Sequence, residues 1–268
     1  MSTVAKDKKS NTNNEGGLCE FFVKNGYCTL GEKCKLTHDR TKYRVNVKEG
    51  DGKETEEEEE DGGLTEICFS FDTTGSMYGY LKEVRRSIRE LISELFEKIQ
   101  NIRISIIAHG DYCDAGSTYV LKSVDFTRDH KKLIEFVQNV GPTGGGDAPE
   151  CYELVLWHAA HKLHWSPHAK SKALVVIGDD EPHPVSYSMN VKGIDWRVET
   201  ENLRRQNCTI YGIFCGYSSI AKRFYQEIST KTNGTLLELS NMKNMVKLFM
   251  ALCLRNSNNP RLLAEYRA

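Results

Sequence analysis

Short apolar runs alternate with segments of helical periodicity from Leu64 onward. Each run has the length of a buried strand, and each intervening segment is long enough for a helix that returns the chain to the same edge of a sheet. The runs that predict strands are 66–72, 102–108, 173–178, 209–214 and a shorter one at 235–239. Residues 118–124 alternate more strictly after a short loop, which predicts an antiparallel edge strand. This pattern predicts an α/β fold with a doubly wound, mostly parallel sheet flanked by helices.

The segment after the first predicted strand has the clearest helical pattern. Its apolar residues recur every three or four positions, with charged residues on the other faces; they are Leu81, Val84, Ile88, Leu91, Leu95 and Ile99. Further helices are predicted at 128–139, 149–163, 195–206, 219–230 and 242–255. In a doubly wound sheet of order 3-2-1-4-5-6, strands 1 and 4 are neighbours where the winding reverses, and ligands bind beyond their carboxyl ends.

Composition divides the rest of the chain. Glu56 to Glu60 are consecutive like charges that repel one another, which predicts a solvated linker. The sequence therefore predicts five parts. They are a disordered tail at 1–16, a zinc finger at 17–39, a basic and then acidic linker at 40–63, the α/β domain at 64–258 and a C-terminal tail at 259–268.

Charge and cysteine usage narrow the class of protein. The net charge of −1 does not call for a polyanionic or membrane partner, and 39% hydrophobic residues suffice for a core. Nine cysteines, three of them close together near the N-terminus, do not form the pattern of a disulfide framework. With no apolar signal segment and no run of about 20 apolar residues, we expect an intracellular protein, cytoplasmic or nuclear, without a membrane partner.

The N-terminal module has the ligands of a zinc site. Cys19, Cys28, Cys34 and His38 supply three thiolates and one imidazole, the set that satisfies tetrahedral zinc. The spacing x8, x5 and x3 between them resembles that of CCCH zinc fingers, many of which bind single-stranded RNA. The candidate RNA contacts on that resemblance are Phe22, Lys24, Lys33, Lys35 and Arg40.

Two residues depart from the RNA-binding pattern. Leu30 and Leu36 stand where the RNA-binding fingers carry aromatic side chains, which would stack on bases for about 1–3 kcal/mol each. A zinc-stabilised module for protein contacts therefore stays open beside RNA binding.

A second, harder metal site is predicted in the α/β domain. Asp72, Thr74 and Ser76 place oxygen side chains in the turn after the first strand, which suits an ion such as Mg²⁺. Asp179 ends the fourth strand, so the sheet order brings it beside Asp72. Thr143 begins a Gly-rich loop just before a predicted helix.

These motifs resemble the metal-ion-dependent adhesion site of von Willebrand factor A (vWA) domains. Asp72, Thr74 and Ser76 correspond to its D-x-S-x-S element, with Thr for the first Ser, and Thr143 and Asp179 to its later threonine and aspartate. The resemblance covers most of residues 64–255 and implies that these five residues hold Mg²⁺, or Mn²⁺ or Ca²⁺. It also implies that a carboxylate of a protein partner completes the coordination.

Four further residues are expected around these ligands or on the rim: Asp111, Asp147, Asp180 and His183. The whole pattern indicates a non-enzymatic binding protein, with a finger for RNA and a vWA domain for a protein. The alternatives are a protein-only interaction scaffold and, with less support, a Mg²⁺-dependent phosphohydrolase.

Overall fold

A computed structural model describes residues 63–146 and 148–238. Six strands form one sheet in the order β3-β2-β1-β4-β5-β6, as the sequence predicts. Their bounds are β1 Thr65–Asp72, β2 Ile102–His109, β3 Leu121–Thr127, β4 Ser171–Gly178, β5 Cys208–Phe214 and β6 Leu236–Glu238. All pairs are parallel except β2 with β3.

Within the described residues, five α-helices connect these strands. They are α1 Tyr78–Lys98, α2 His130–Asn139, α3 Tyr152–His161, α4 Trp196–Arg205 and α5 Ser219–Lys231. The doubly wound α/β fold is therefore confirmed. The helix predicted at 242–255 and the N-terminal finger lie outside the described residues.

Both faces of the sheet are buried, because alternate side chains of each strand point to opposite sides. Phe69 and Phe71 of β1 belong to a core with α1 and α2. Cys68, which precedes Phe69 and points to the opposite face, belongs to a second core with α3, α4 and α5. Burial on both sides explains why β1 is apolar almost without interruption.

The edge strand begins three residues later than the predicted 118–124. Tyr112–Gly116 form a 3-10 turn, and the N–H groups of Ser117 and Thr118 donate to the Asp114 carbonyl. These hydrogen bonds keep the chain in a turn up to that point, so antiparallel pairing with β2 starts at Leu121, opposite His109.

Helix α3 also begins later than the predicted residue 149. The N–H of Glu150 donates to the Glu181 carbonyl at 2.9 Å, and Glu150 forms a parallel bridge with Pro182. The chain is thus extended against the loop after β4 before it turns into α3.

Candidate functional site

The carboxyl ends of β1 and β4 bring the two predicted aspartates to one place. The strands are paired in register as far as Phe71 and Ile177, so Asp72 ends β1 where Asp179 follows β4. Ser76, in the turn after β1, donates from its hydroxyl to Asp179 Oδ1 at 3.0 Å. Residues 103 positions apart therefore meet at this edge of the sheet.

Asp72 is fully buried at the centre of the site. Its Oδ1 accepts hydrogen bonds from the Thr74 N–H and the Thr74 hydroxyl, both at 2.7 Å. The Thr74 and Ser76 hydroxyl oxygens are 3.4 Å apart. The three side chains thus form a continuous row of oxygen atoms that runs from the interior to exposed Ser76.

Tyr152, the first residue of α3, links the two aspartates. Its hydroxyl donates to Asp72 Oδ2 at 2.5 Å and accepts from the Asp179 and Asp180 N–H groups at 3.2 and 3.5 Å. A Cβ atom at Gly178 would lie 2.0 Å from the Tyr152 hydroxyl, so only glycine leaves room for it there.

Thr143 reaches the same edge through the loop before α3. Its N–H donates to the Thr73 carbonyl at 2.8 Å, and its carbonyl accepts from the Tyr78 hydroxyl at 2.8 Å. Its own hydroxyl is buried and lies 3.2 Å from that of Thr73. The structure therefore fixes Thr143 against residue 73 of the turn, beside rather than within the row of Asp72, Thr74 and Ser76.

The Gly-rich loop is held by Asp114. Its carboxylate accepts from the N–H groups of Gly144 and Gly145, at 2.8 Å for the Gly144 contact. Gly145 has a φ of +68°, and a Cβ atom there would lie 2.8 Å from Glu150 Oε1. Glycine is therefore required by both the backbone conformation and the close approach of Glu150.

Glu150 adds a carboxyl group that the sequence reasoning did not assign. It is buried and hydrogen-bonded to the Thr74 side chain, and its Oε2 has no partner among the described residues. It lies two residues before Tyr152, which begins α3. Glu150 and Tyr152 lie near a predicted helix start that follows the Gly-rich loop, and this position was the sequence signal for them. The sequence does not show towards which side of the sheet the side chains at that start point.

Burial raises the pKa of the acids at this site, and neighbouring carboxylates raise it further. Burial raises the pKa of Asp72 to about 6, although hydrogen bonds from Tyr152 and Thr74 lower it. Burial, and then the charge of Asp72, raises the pKa of Asp179 to about 6. Burial followed by the charges of Asp72 and Asp111 raises the pKa of Glu150 to about 10. A bound cation would relieve both the desolvation and the repulsion.

Comparison with known proteins agrees with this geometry. Residues 66–191 match the family model of the von Willebrand factor A domain. The match supports a vWA domain in this chain, and it includes Asp72, Thr143 and Asp179.

The chain is also similar to a curated protein from Acanthamoeba polyphaga mimivirus. That protein is named an ariadne-like RING finger protein, and the two sequences are 26% identical over 207 residues. The aligned part covers 68% of this chain but 19% of the relative, so this chain spans about a fifth of that protein's length.

The remaining predicted positions in the α/β domain fall into two groups. Asp180 is half-buried next to Asp179, and burial raises its pKa to about 6. Asp111 and His183 are almost fully buried, with His183 Nε2 2.5 Å from Asp111 Oδ1. They lie beneath the surface and contact each other.

Several predicted residues cannot be placed. Asp147 and the finger residues Cys19, Phe22, Lys24, Cys28, Lys33, Cys34, Lys35, His38 and Arg40 lie outside the described residues. Within the described part of the chain, no helix is both long and apolar enough to cross a membrane.

Proposed function

We propose that the vWA domain binds a protein partner through a divalent cation at the carboxyl ends of β1 and β4. The observation that supports this most is the row of oxygens that joins buried Asp72 to Asp179 through Thr74 and Ser76. Carboxylates and hydroxyls are the ligands of a hard ion such as Mg²⁺, with Mn²⁺ and Ca²⁺ as alternatives.

The proposed ligands are Asp72, Thr74, Ser76, Thr143 and Asp179, directly or through water. Two ionised aspartates would balance the charge of a divalent ion. Burial and the charges of Asp72 and Asp111 raise the pKa of Glu150 to about 10, so Glu150 ionises less readily than the two aspartates and is not counted among the charged ligands. The site would therefore still attract an anion, and a carboxylate of the partner is the anion we propose.

The finger at 17–39 is proposed to bind zinc through Cys19, Cys28, Cys34 and His38. The RING finger in the relative's name is also a zinc module, which agrees with this chemistry and does not extend to that protein's activity. Single-stranded RNA is the proposed ligand of the finger, and a protein-only role is the alternative that Leu30 and Leu36 favour.

Ligation rather than catalysis is the proposed role of the vWA site, in an intracellular protein. The neighbouring His109 is a poor candidate for a catalytic base. Burial lowers its pKa to about 4, and both its ring nitrogens are buried without a hydrogen-bond partner among the described residues. Mg²⁺-dependent hydrolysis of a generic phosphoester that Asp72→Ala abolishes would instead favour the phosphohydrolase.

The test is quantitative partner recovery with the full chain as bait, in Mg²⁺ and in EDTA. The site variant combines Asp72→Asn with Thr143→Ala, and the matched control is Asp195→Asn at the start of α4. We expect a set of proteins that wild type and the control recover only in Mg²⁺, and that the site variant does not recover. Recovery of the same proteins by the site variant would contradict the proposal.

A further inference from the structure

A second cluster of metal-binding side chains lies inside the vWA domain. Asp111 follows β2, Cys151 precedes α3 and His183 lies in the loop after β4. Their ligand atoms all lie within 4.8 Å of one another. His183 Nε2 is 2.5 Å from Asp111 Oδ1, and the Cys151 thiol donates to the same oxygen at 3.5 Å. All three side chains are buried.

Other residues hold each of the three in place. The His183 ring is stacked on Tyr187, with ring centroids 3.9 Å apart and planes within 9°. The backbone N–H of His183 donates to Glu153 Oε2 at 3.0 Å. The Asp111 N–H donates to Asp114 Oδ2 at 2.9 Å. A set fixed in this way would lose little conformational freedom on binding an ion.

Two buried atoms beside the cluster lack a hydrogen-bond partner among the described residues: His183 Nδ1 and Glu153 Oε1. A zinc ion on Nε2 would place the ring proton on Nδ1, which then needs an acceptor. Glu153, whose Oε2 already accepts from the His183 backbone N–H, is a neighbouring carboxylate that would have to turn its Oε1 towards Nδ1 to accept that proton. Pairs of a carboxylate and a zinc-bound histidine are the usual arrangement around such ions.

We propose that Asp111, Cys151 and His183 bind a zinc ion. One thiolate, one imidazole and one carboxylate are a donor set for zinc and not for Mg²⁺. Tetrahedral zinc separates its ligand atoms by about 3.3–3.6 Å. The sulfur–oxygen distance of 3.5 Å already fits, and the Asp111–His183 contact would open by about 1 Å on binding. The exposed side chain of Cys113 also contacts the Asp111 carboxyl, so Cys113 or water takes the fourth position.

This zinc site would share a chain segment with the proposed Mg²⁺ site. Cys151 stands between Glu150, which is bonded to Thr74, and Tyr152, which is bonded to Asp72. An ion on Cys151 would therefore fix the segment that positions both residues at the other site.

The test is the zinc content of the full chain measured by mass spectrometry. The N-terminal finger would also hold zinc, so every chain carries Cys28→Ser and Cys34→Ser. We expect about one zinc per chain in this background. Cys151→Ser and His183→Asn should each lose it, whereas Cys208→Ser, at another buried cysteine, should retain it.

Cobalt provides a spectroscopic readout of the coordination in the background chain. The background chain loaded with Co²⁺ should show the intense bands of tetrahedral coordination with a thiolate, and Cys151→Ser should remove them. A background chain that takes up neither zinc nor cobalt in this form would overturn the proposal. So would unchanged binding in Cys151→Ser. The three side chains would then form a hydrogen-bonded network only.

Discussion

Tyr152 is the residue through which α3 controls the aspartates of the candidate site. Its one hydroxyl contacts Asp72 Oδ2 and the backbone of Asp179. Tyr152→Phe should leave the fold intact and weaken Mg²⁺ binding about tenfold or more, because the partners of metal ligands contribute that much when they orient them. Calorimetric titration with Mg²⁺ measures this.

The matched control for Tyr152→Phe is Tyr225→Phe. Tyr225 is equally buried, and its hydroxyl contacts Tyr152 but donates to neither aspartate, so it tests the packing around Tyr152 without removing the bond to Asp72. We expect its Mg²⁺ affinity to equal that of wild type. Equal weakening in both variants would show that a general loss of packing, rather than the bond to Asp72, sets the affinity.

The pKa values of the aspartates predict how pH acts on Mg²⁺ binding. Both Asp72 and Asp179 have a pKa of about 6 in the metal-free protein, so protons compete with the ion below that pH. The rise in melting temperature on adding Mg²⁺ should therefore be large at about pH 7.5 and small at about pH 5. Asp72→Asn should remove most of this rise at both.

The stability of the protein without Mg²⁺ is a poorer measure of the site, because Asp72 and His109 make its pH dependence change in opposite directions. The raised pKa of Asp72 gives stability that is present below its ordinary pKa and is lost as pH rises through about 6. The lowered pKa of His109 gives stability that is present above its ordinary pKa of 6.5 and is lost as pH falls towards about 4. The difference between the melting temperatures in Mg²⁺ and in EDTA reports on the site alone. A difference that does not change with pH would contradict competition by protons.

At the level of elements, strand order and most helix starts were predictable, but the start of α3 was not. Long apolar runs such as β1 and β4 identify buried parallel strands, and the rules of doubly wound sheets then place Asp72 beside Asp179. The start of α3 depends on a bridge between Glu150 and Pro182, distant in sequence, so periodicity could not locate it. The roles of Tyr152 and Cys151 depend on that start.

The opposite edge of the sheet offers a prediction about stability alone. Glu66 of β1 is fully buried, and its carboxylate pairs with Arg103 of β2 and accepts from the Ser166 N–H at 2.8 Å. Arg103→Met leaves this carboxylate without its charged partner, which should cost about 3–5 kcal/mol in the free energy of unfolding. Urea denaturation measures the loss.

Adding Glu66→Gln to Arg103→Met should recover part of that loss, since the unpaired buried charge is removed. Mg²⁺ affinity should be unchanged in both variants, because the pair lies at the amino ends of the strands and the site at their carboxyl ends. A changed affinity would show that the two edges are coupled through the sheet.

At the scale of the whole molecule, two kinds of metal chemistry are proposed for this chain. Thiolate and imidazole ligands are predicted at residues 19–38, and oxygen ligands meet at the end of β1. Sequence spacing alone predicts the first kind, since its proposed ligands are close together in the chain. The second kind and the Asp111–Cys151–His183 cluster are assembled from distant segments, so only the fold brings their members into contact.

The two metal chemistries should be separable in an RNA-binding experiment on the full chain. We expect weak binding to single-stranded RNA, because Leu30 and Leu36 cannot supply the roughly 1–3 kcal/mol of stacking per base. Binding should depend on phosphate contacts from Lys24, Lys33, Lys35 and Arg40, with a slope against log salt of at most about −3. Filter binding at several salt concentrations measures both.

Variants assign any RNA binding to one part of the chain. Cys28→Ser removes a zinc ligand and should abolish it, because a module of this size depends on its metal to fold. Asp72→Asn should leave it unchanged. If Cys28→Ser binds RNA as wild type does, the finger is not the RNA site. If wild type shows no salt-sensitive binding, the finger serves protein contacts, and the vWA domain and finger together form a protein-only scaffold.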